Sequence, residues 1–251
     1  MKKTLLIIAA IIAVNTTFAQ TYFGPRLGIN MSKMTGKYWE KDDSEHKNVT
    51  GFQFGAVVDH HFSDMISLQM ELLYAQKGVK TEDNYSEDGY SSTSTSKETF
   101  NTIEIPVLFK ATFGGDIKFY GNAGPYFNYK LGGKYESEGS YTGNGTTETY
   151  SKDGKIIFDK RPDNYTGDDS YYDPKVYNKV DFGFYIGGGV AKELGPGILT
   201  FDIRYGLGFK DFINTDEAFK DDNGVSKEPD GYEAFKNRNL SITVAYMFGG
   251  N

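Results

Sequence analysis

Hydrophobic and polar residues alternate with a period of two along eight segments of the chain. In the fourth segment, Ile103, Ile105 and Val107 fall on one face, whereas Glu104 and Lys110 fall on the other. Such alternation is typical of β-strands that have two different environments. The predicted strands comprise residues 22–32, 50–60, 66–79, 100–112, 117–131, 180–191, 198–209 and 239–248.

The predicted connections alternate between short and long. The short ones are residues 61–65, 113–116 and 193–197, and the long ones are residues 33–49, 80–99, 132–179 and 210–238. In an up-and-down barrel this order places all short turns at one end and all long loops at the other. Outer-membrane barrels have this asymmetry. The expected fold is therefore all-β: an eight-stranded antiparallel up-and-down transmembrane β-barrel with short periplasmic turns and long extracellular loops.

The two strand faces differ in a way that favours a membrane barrel over a soluble ligand-carrying barrel. One face is rich in Gly, Ser, Asn, Gln and Tyr, and small residues suit the interior of a narrow barrel. The opposite face is nearly free of charge, as a lipid-facing surface must be. We therefore expect the apolar face to point outward.

The N-terminus has the features of a secretory signal peptide. Lys2 and Lys3 precede an apolar run over residues 5–14, and Thr17-Phe18-Ala19 provides a small-x-small cleavage site. This run is too short to span a bilayer. The sequence predicts a signal peptide over residues 1–19, a barrel domain over residues 20–251, and export through the inner membrane to the outer membrane.

Charge and composition narrow the possible functions. The net charge is −7, which disfavours nucleic acid as a partner. The absence of cysteine excludes disulfides, thiolate metal sites and a lipoprotein anchor. His46, His60 and His61 are the only histidines, and no catalytic motif surrounds them. The loop carboxylates lack the spacing of an EF-hand and are interpreted as solvated; they are Asp163, Asp168, Asp169, Asp221 and Asp222. We expect neither an enzyme nor a cofactor or metal site.

Several short motifs resemble the PorT-like outer-membrane β-barrel family. They are Glu-Ile-Pro at 104–106, Gly-Asn-Ala-Gly-Pro-Tyr at 121–126, Asp-Phe-Gly at 181–183, Arg-Tyr-Gly-Leu-Gly at 204–208, and the terminal strand that ends at Phe248. The resemblance covers essentially the whole mature chain. It implies an eight-stranded barrel in the outer membrane of a Gram-negative bacterium. One branch of that family is tied to protein secretion, and nothing in this chain singles out that branch.

The alternation places seven charged residues on the inward face. They are Arg26, Asp59, Glu71, Glu104, Lys110, Asp202 and Arg204. An eight-stranded barrel has an interior just wide enough for side chains, so these charges must pair. We interpret them as a salt-bridge plug, with a gated pore or proton path as the alternative. Pro106 lies inside a predicted strand, which suggests a local bulge that re-aims Glu104.

The expected function is that of a non-enzymatic barrel whose extracellular loops bind a ligand or protein, mediate adhesion or shield the surface. The alternatives are a narrow passive pore for small solutes and an accessory barrel of a secretion system. Expected partners are outer-membrane lipid and, during insertion, the barrel-assembly machinery. The Ser/Thr-rich residues 91–96 are predicted to be flexible. Tyrosine is common in surfaces that bind other molecules, so the tyrosines of the long loops suggest a binding role for these loops. They are Tyr85, Tyr90, Tyr135, Tyr141, Tyr150, Tyr165, Tyr171, Tyr172 and Tyr177.

Overall fold

A computed structural model describes residues 21–37, 45–87, 89–160, 176–219 and 225–249. The predicted signal peptide, the five loop aspartates named above, and Tyr165, Tyr171 and Tyr172 lie outside these residues. The elements are β1 (Thr21–Lys37), β2 (Glu45–His61), β3 (Ile66–Glu87), β4 (Tyr90–Gly114), β5 (Ile117–Gly143), β6 (Thr146–Lys155), β7 (Ile157–Phe158), β8 (Val176–Tyr177), β9 (Val180–Leu194), β10 (Gly197–Gly208), α1 (Thr215–Ala218) and β11 (Glu233–Gly249).

Eight of these strands close into a ring. Neighbours around the ring are β1, β2, β3, β4, β5, β9, β10 and β11, and β11 returns to β1. Each pair is antiparallel, and the β4–β5 ladder completes the closure. The chain between β5 and β9 forms the three short strands β6 to β8 outside the ring. This arrangement confirms the predicted eight-stranded up-and-down barrel.

The outer surface of the ring is apolar. Exposed hydrophobic side chains occur on every ring strand, for example Leu27 on β1, Phe54 on β2 and Ile203 on β10. Their sequence neighbours on the other face are buried, so the outward direction of the apolar face is confirmed. No helix within the described ranges is long and apolar enough to cross a bilayer.

The strands extend well beyond their predicted ends on the side of the long connections, here called the hairpin end; the opposite side is the turn end. β3 and β4 remain paired from Ile66–Ala111 up to Glu87–Tyr90. β5 continues through residues 132–143, and β6 adds to it. Residues 80–87, 90–99, 132–143 and 146–155 thus form a projecting sheet, the hairpin sheet.

The prediction of long loops at 80–99 and 132–179 is therefore wrong for residues 80–87, 90–99, 132–143 and 146–155, which are strands. Residues 91–96, which were predicted to be flexible, are likewise paired on both sides, with β3 and with β5. These strands have polar residues on both faces, so hydrophobic alternation does not reveal them. Their order comes from backbone ladder hydrogen bonds and from the strand propensity of Thr and Tyr.

Ion pairs brace the base of the hairpin sheet against β2. Lys47 on β2 binds Glu82 on β3, and Lys80 approaches the same carboxylate at 2.7 Å. The hydrogen bonds from Lys47 and Lys80 lower the pKa of Glu82 to about 2. The carboxylate therefore stays ionised at ordinary pH, and both lysines keep a partner.

An apolar cluster covers the hairpin end of the barrel. Its buried members are Met34, Val79, Phe100, Tyr177, Phe212, Ile213 and Phe235. Phe100 packs edge-on against Phe212 at 4.8 Å and against Tyr177 at 5.3 Å between ring centroids. Tyr177 is 1% exposed, so its predicted role as a loop recognition residue is wrong. Residues 157–158, 176–177 and 212–213, which supply the non-barrel side of this packing, are here called the cap.

Pro106 does not create a bulge. The β3–β4 register is continuous from Met70–Val107 to Leu73–Glu104, and the β4–β5 register is continuous from Glu104–Asn128 to Pro106–Tyr126. Glu104 therefore points inward by ordinary alternation. The irregularity lies at Asn101 and Thr102, where the hairpin sheet leaves the barrel. A bulge bends a strand and increases its twist, which suits that junction.

The outward face generates a prediction on β10. Ile203 lies in the middle of the strand, opposite Ile242 and Gly188. Ile203→Arg should lower the free energy of unfolding by about 2–4 kcal/mol, because it places a charge at the bilayer midplane. Leu199→Arg is the matched control: Leu199 pairs with Tyr246 and Lys192 near the turn end, and a cost of about 0–1 kcal/mol is expected there. Urea unfolding from lipid vesicles measures both, and equal losses would contradict the lipid-facing assignment.

Candidate functional site

The barrel lumen contains all seven charged residues that alternation places inside. None of them is more than 4% exposed: Arg26, Asp59, Glu71, Glu104, Lys110, Asp202 and Arg204. They do not form one cluster. Instead they divide into a group of four, a pair near the turn end, and Glu104 at a separate level nearer the hairpin end.

Arg26, Glu71, Asp202 and Arg204 form the group of four, here called the quartet. Arg204 contacts both Glu71 oxygens, with Nη2–Oε1 at 2.8 Å and Nη1–Oε2 at 3.0 Å, and its Nε lies 2.5 Å from Asp202 Oδ1. Arg26 Nη1 lies 3.3 Å from Glu71 and 3.7 Å from Asp202. Each arginine therefore approaches both carboxylates, and the four charges balance. Of the Arg204 contacts, Nη1–Oε2 has the geometry of a hydrogen bond, and the other two are close ion-pair contacts.

The quartet joins opposite walls of the barrel. Glu71 lies on β3 and Arg204 on β10, which are four strands apart in a ring of eight. Neutral partners complete it: Asn122 donates to Asp202 at 2.7 Å, and Thr243 accepts from Arg26 at 3.0 Å. Side chains of the quartet therefore reach across the full width of the lumen at this level.

Asp59 and Lys110 form the pair nearer the turn end. Lys110 Nζ lies 2.5 Å from Asp59 Oδ2, and His61 Nε2 lies 3.4 Å from the same oxygen. Lys110 also lies over the ring of Tyr120, 4.6 Å from its centroid. The carboxylate of Asp59 is thus already engaged by a lysine.

Glu104 lies in the layer between the quartet and the cap. It binds Lys77, and it accepts hydrogen bonds from Tyr185 at 2.9 Å and Asn128 at 3.3 Å. The register places Glu104 opposite Leu73, two residues beyond Glu71. Glu71 and Glu104 consequently have separate cationic partners.

Three inward tyrosines fill space between these layers because each lies opposite a glycine. Tyr120 pairs with Gly189 and Tyr126 with Gly183 across β5 and β9. Tyr185 on β9 pairs with Gly206 on β10. A Cβ at position 206 would lie 2.6 Å from the Tyr185 ring. Glycine therefore permits the aromatic rings to fit inside a narrow barrel.

Lys130 links the lumen to the cap. Its Nζ lies 3.8 Å from the centroid of the Phe212 ring and donates to the backbone oxygen of Asn178 at 2.6 Å. Asn178 in turn donates to the oxygens of Asp211 and Ile213. Beneath the cap lies a cavity of about 10 Å³, about the space that one water needs. Its polar lining includes Lys77, Lys130 and Asp181.

The predicted set of lumen charges omits Lys77, Lys130 and Asp181. Lys77 shares the parity of Glu71 on β3, and Lys130 shares that of Asn128 on β5. Carrying the same alternation to the ends of the predicted strands would have identified both lysines. With these three residues included, the lumen charges named here are five cationic and five anionic side chains.

Within the described ranges, no group of three or more His, Asp or Glu side chains is arranged to hold a metal ion. His61 and Asp59 are close together, yet they lie at the turn end, and Lys110 shares the carboxylate.

The closed ring, the apolar outer face and the charged lumen define the class of outer-membrane β-barrels. Residues 18–214 match the family described as outer membrane protein beta-barrel domain, and the chain belongs to this family. It is therefore a protein of the outer membrane. No curated protein sequence matches the chain significantly.

Three solved barrels show a weak likeness. The attachment invasion locus protein Ail of Yersinia pestis, in complex with the heparin analogue sucrose octasulfate, is 12% identical with a TM-score of 0.34, covering 92% of this chain and 99% of that one. Neisserial surface protein A is 12% identical with a TM-score of 0.36, covering 89% and 95%. OprG from Pseudomonas aeruginosa is 9% identical with a TM-score of 0.45, covering 93% and 95%. These values are too low to transfer a property to this chain.

The quartet generates a stability prediction. Glu71→Gln leaves two buried arginines with one carboxylate, so the free energy of unfolding should fall by about 3–5 kcal/mol. Glu136→Gln is the control, because Glu136 pairs with Lys134 at 2.6 Å on the exposed hairpin sheet; its free energy of unfolding should change little. Adding Arg26→Gln to Glu71→Gln restores the charge balance and should recover part of the loss. If Glu71→Gln and Glu136→Gln lowered the free energy of unfolding in urea equally, the assigned pairing of Glu71 within the quartet would be wrong.

Proposed function

We propose that this protein is a closed, non-enzymatic barrel that anchors the hairpin sheet at the cell surface. The observation that carries the proposal is the Arg204–Glu71 contact, which joins β10 to the opposite wall at β3. Paired side chains occupy the lumen above and below it, and the apolar cap covers one end. A lumen filled in this way leaves little path for solutes.

The proposed orientation puts the hairpin end outside the cell. Short turns on the periplasmic side and longer outer segments are the rule for outer-membrane barrels. The turns at residues 62–65, 115–116 and 195–196 all lie at one end, with the start of β1 and the end of β11. The proposal includes export by the predicted signal peptide, which is cleaved after Ala19. It also includes membership of the narrower PorT-like group.

The hairpin sheet has the composition of a protein-recognition surface. It is rich in Tyr, Ser, Thr and Gly, which offer contact area and adaptable hydrogen bonds at low entropic cost. Tyr141 and Tyr85 are about half exposed on it. The sheet has five basic and eight acidic residues, so a sulfated polysaccharide is a poor ligand. We therefore favour a protein partner over surface shielding alone.

The two other candidates are a narrow pore for small solutes and an accessory barrel of a secretion system. A pore needs a continuous path through the quartet, and an accessory role needs a partner at the barrel itself. Neither has a supporting contact among the described residues, so the closed anchor is preferred.

Purified protein in a planar bilayer should give no steady pore current. Phe212→Ala, which weakens the cap, should leave the bilayer equally silent, because the quartet still spans the lumen. Single-channel recording at several voltages makes the measurement. A steady conductance from the unaltered protein would overturn the closed-barrel proposal in favour of the pore.

Shortening the hairpin sheet should abolish attachment of expressing cells to a surface coated with serum proteins. One deletion replaces residues 83–94 with a two-residue turn between Glu82 and Thr95, and a second replaces residues 138–151 with a two-residue turn between Ser137 and Lys152. The two residues at each junction already face each other across a ladder. Barrel pairing is untouched, so heat-modifiable gel migration should persist. Attachment to a heparin-coated surface should be absent for both forms. If the full-length protein confers no attachment to the protein coat, the recognition role is wrong.

Cysteine labelling in intact cells is the control for orientation. The chain has no cysteine, so each introduced thiol is unique. Thr147→Cys in the hairpin sheet should react with a membrane-impermeant maleimide, whereas Gly115→Cys in a turn should react only after the cells are opened. The reverse result would invert the proposed orientation.

A further inference from the structure

Three outward cations lie at the hairpin-end boundary of the apolar surface. Lys33 on β1 is the register partner of Arg238 on β11, and Lys236 follows two residues beyond Arg238. Each alternates with buried neighbours, so all three project from the outer face. Directly below them on the same face are the pairs Met31–Leu240, Ile29–Ile242 and Leu27–Val244.

The cross-strand pair Lys33–Arg238 is unfavourable as it stands. Like charges directly opposite each other in an antiparallel pair repel, and Lys236 adds a third positive charge on the diagonal. Neither Lys33, Lys236 nor Arg238 has an ion-pair partner within the described part of the chain. An anion bound between the strands would relieve this repulsion.

The guanidinium of Arg238 is already positioned. Its Nη1 donates to the backbone oxygens of Gly208 at 3.1 Å and Asn237 at 2.9 Å. Two carboxylates on adjoining segments have other neighbours: Glu233 is the register partner of Lys37, and Asp211 accepts from Ile213 N, Phe235 N and Tyr232 Oη. Among the described residues, no other hydrogen bond or ion pair engages the Arg238 guanidinium, so its remaining nitrogens can meet an external anion.

We propose that Lys33, Lys236 and Arg238 bind a phosphate group of an outer-leaflet glycolipid of the lipid A type. The arginine fork suits a phosphate in two-nitrogen contact, and the lysines add point charges. The apolar column below, from Leu240 to Val244, receives the acyl chain of the same molecule. This continuity of charge and apolar surface favours a lipid over a free anion. The proposal rests on the proposed function in one respect, the outward orientation of the hairpin end.

The test uses the full-length protein in phosphatidylcholine nanodiscs. Bisphosphorylated lipid A is added to one sample and dephosphorylated lipid A to another, and a third receives inorganic phosphate instead. Heat-modifiable gel migration gives the unfolding temperature. We expect the phosphorylated lipid to raise this temperature above that of the dephosphorylated sample, and Lys33→Gln/Arg238→Gln to lose the rise.

Lys118→Gln/Lys192→Gln is the matched control, since it removes two cations at the turn end and should keep the rise. A rise that persists in Lys33→Gln/Arg238→Gln, or that disappears in the control, would overturn the assignment. An equal rise with inorganic phosphate alone would also overturn it. Both leaflets of a nanodisc contain the added lipid, so the result is independent of orientation, which the cysteine labelling tests separately.

Discussion

The structure depends on pairing charges inside a barrel that is too narrow to hydrate them. An isolated buried charge costs several kcal/mol, whereas a paired and hydrogen-bonded one is tolerated. The quartet meets this requirement by alternating two arginines with two carboxylates, each within reach of both partners. Because its members come from β1, β3 and β10, the pairing is satisfied only when the ring is closed. Charge pairing and barrel closure therefore require each other.

The aromatic and apolar parts of the lumen follow from the same restriction on space. Inward tyrosines fit because the register sets Tyr126 against Gly183 and Tyr185 against Gly206. Towards the hairpin end, the side chains that fill the lumen change from charged to apolar. Lys130 contacts both regions, because it donates a hydrogen bond to the backbone oxygen of Asn178 and lies over the Phe212 ring. A salt-bridge plug alone is thus an incomplete description of the interior.

Hydrophobic alternation was sufficient to predict the ring, its outward apolar face and the inward positions of Arg26, Glu71 and Arg204. It could not reveal the hairpin sheet, because residues 90–99 and 146–155 are polar on both faces and owe their order to backbone pairing. Asp202 and Arg204 lie two residues apart on one strand and do pair, but the sequence could not reveal that Glu71 pairs with Arg204 across the ring. At Pro106 the sequence predicted a feature that is absent: a proline inside a strand suggested a bulge, whereas both ladders are regular there.

The continuity of β4 and β5 has a mechanical consequence. β5 has 27 residues. At about 3.3 Å per residue the strand is about 90 Å long, whereas the apolar band of an outer-membrane barrel is about 25 Å tall. The same two strands form part of the barrel wall and the core of the hairpin sheet, with only the irregularity at Asn101 and Thr102 between them. Tension applied at the free end of the hairpin sheet therefore acts along the strands and across many ladder hydrogen bonds at once, in shear. A sheet loaded in this way resists separation better than one whose hydrogen bonds open one after another.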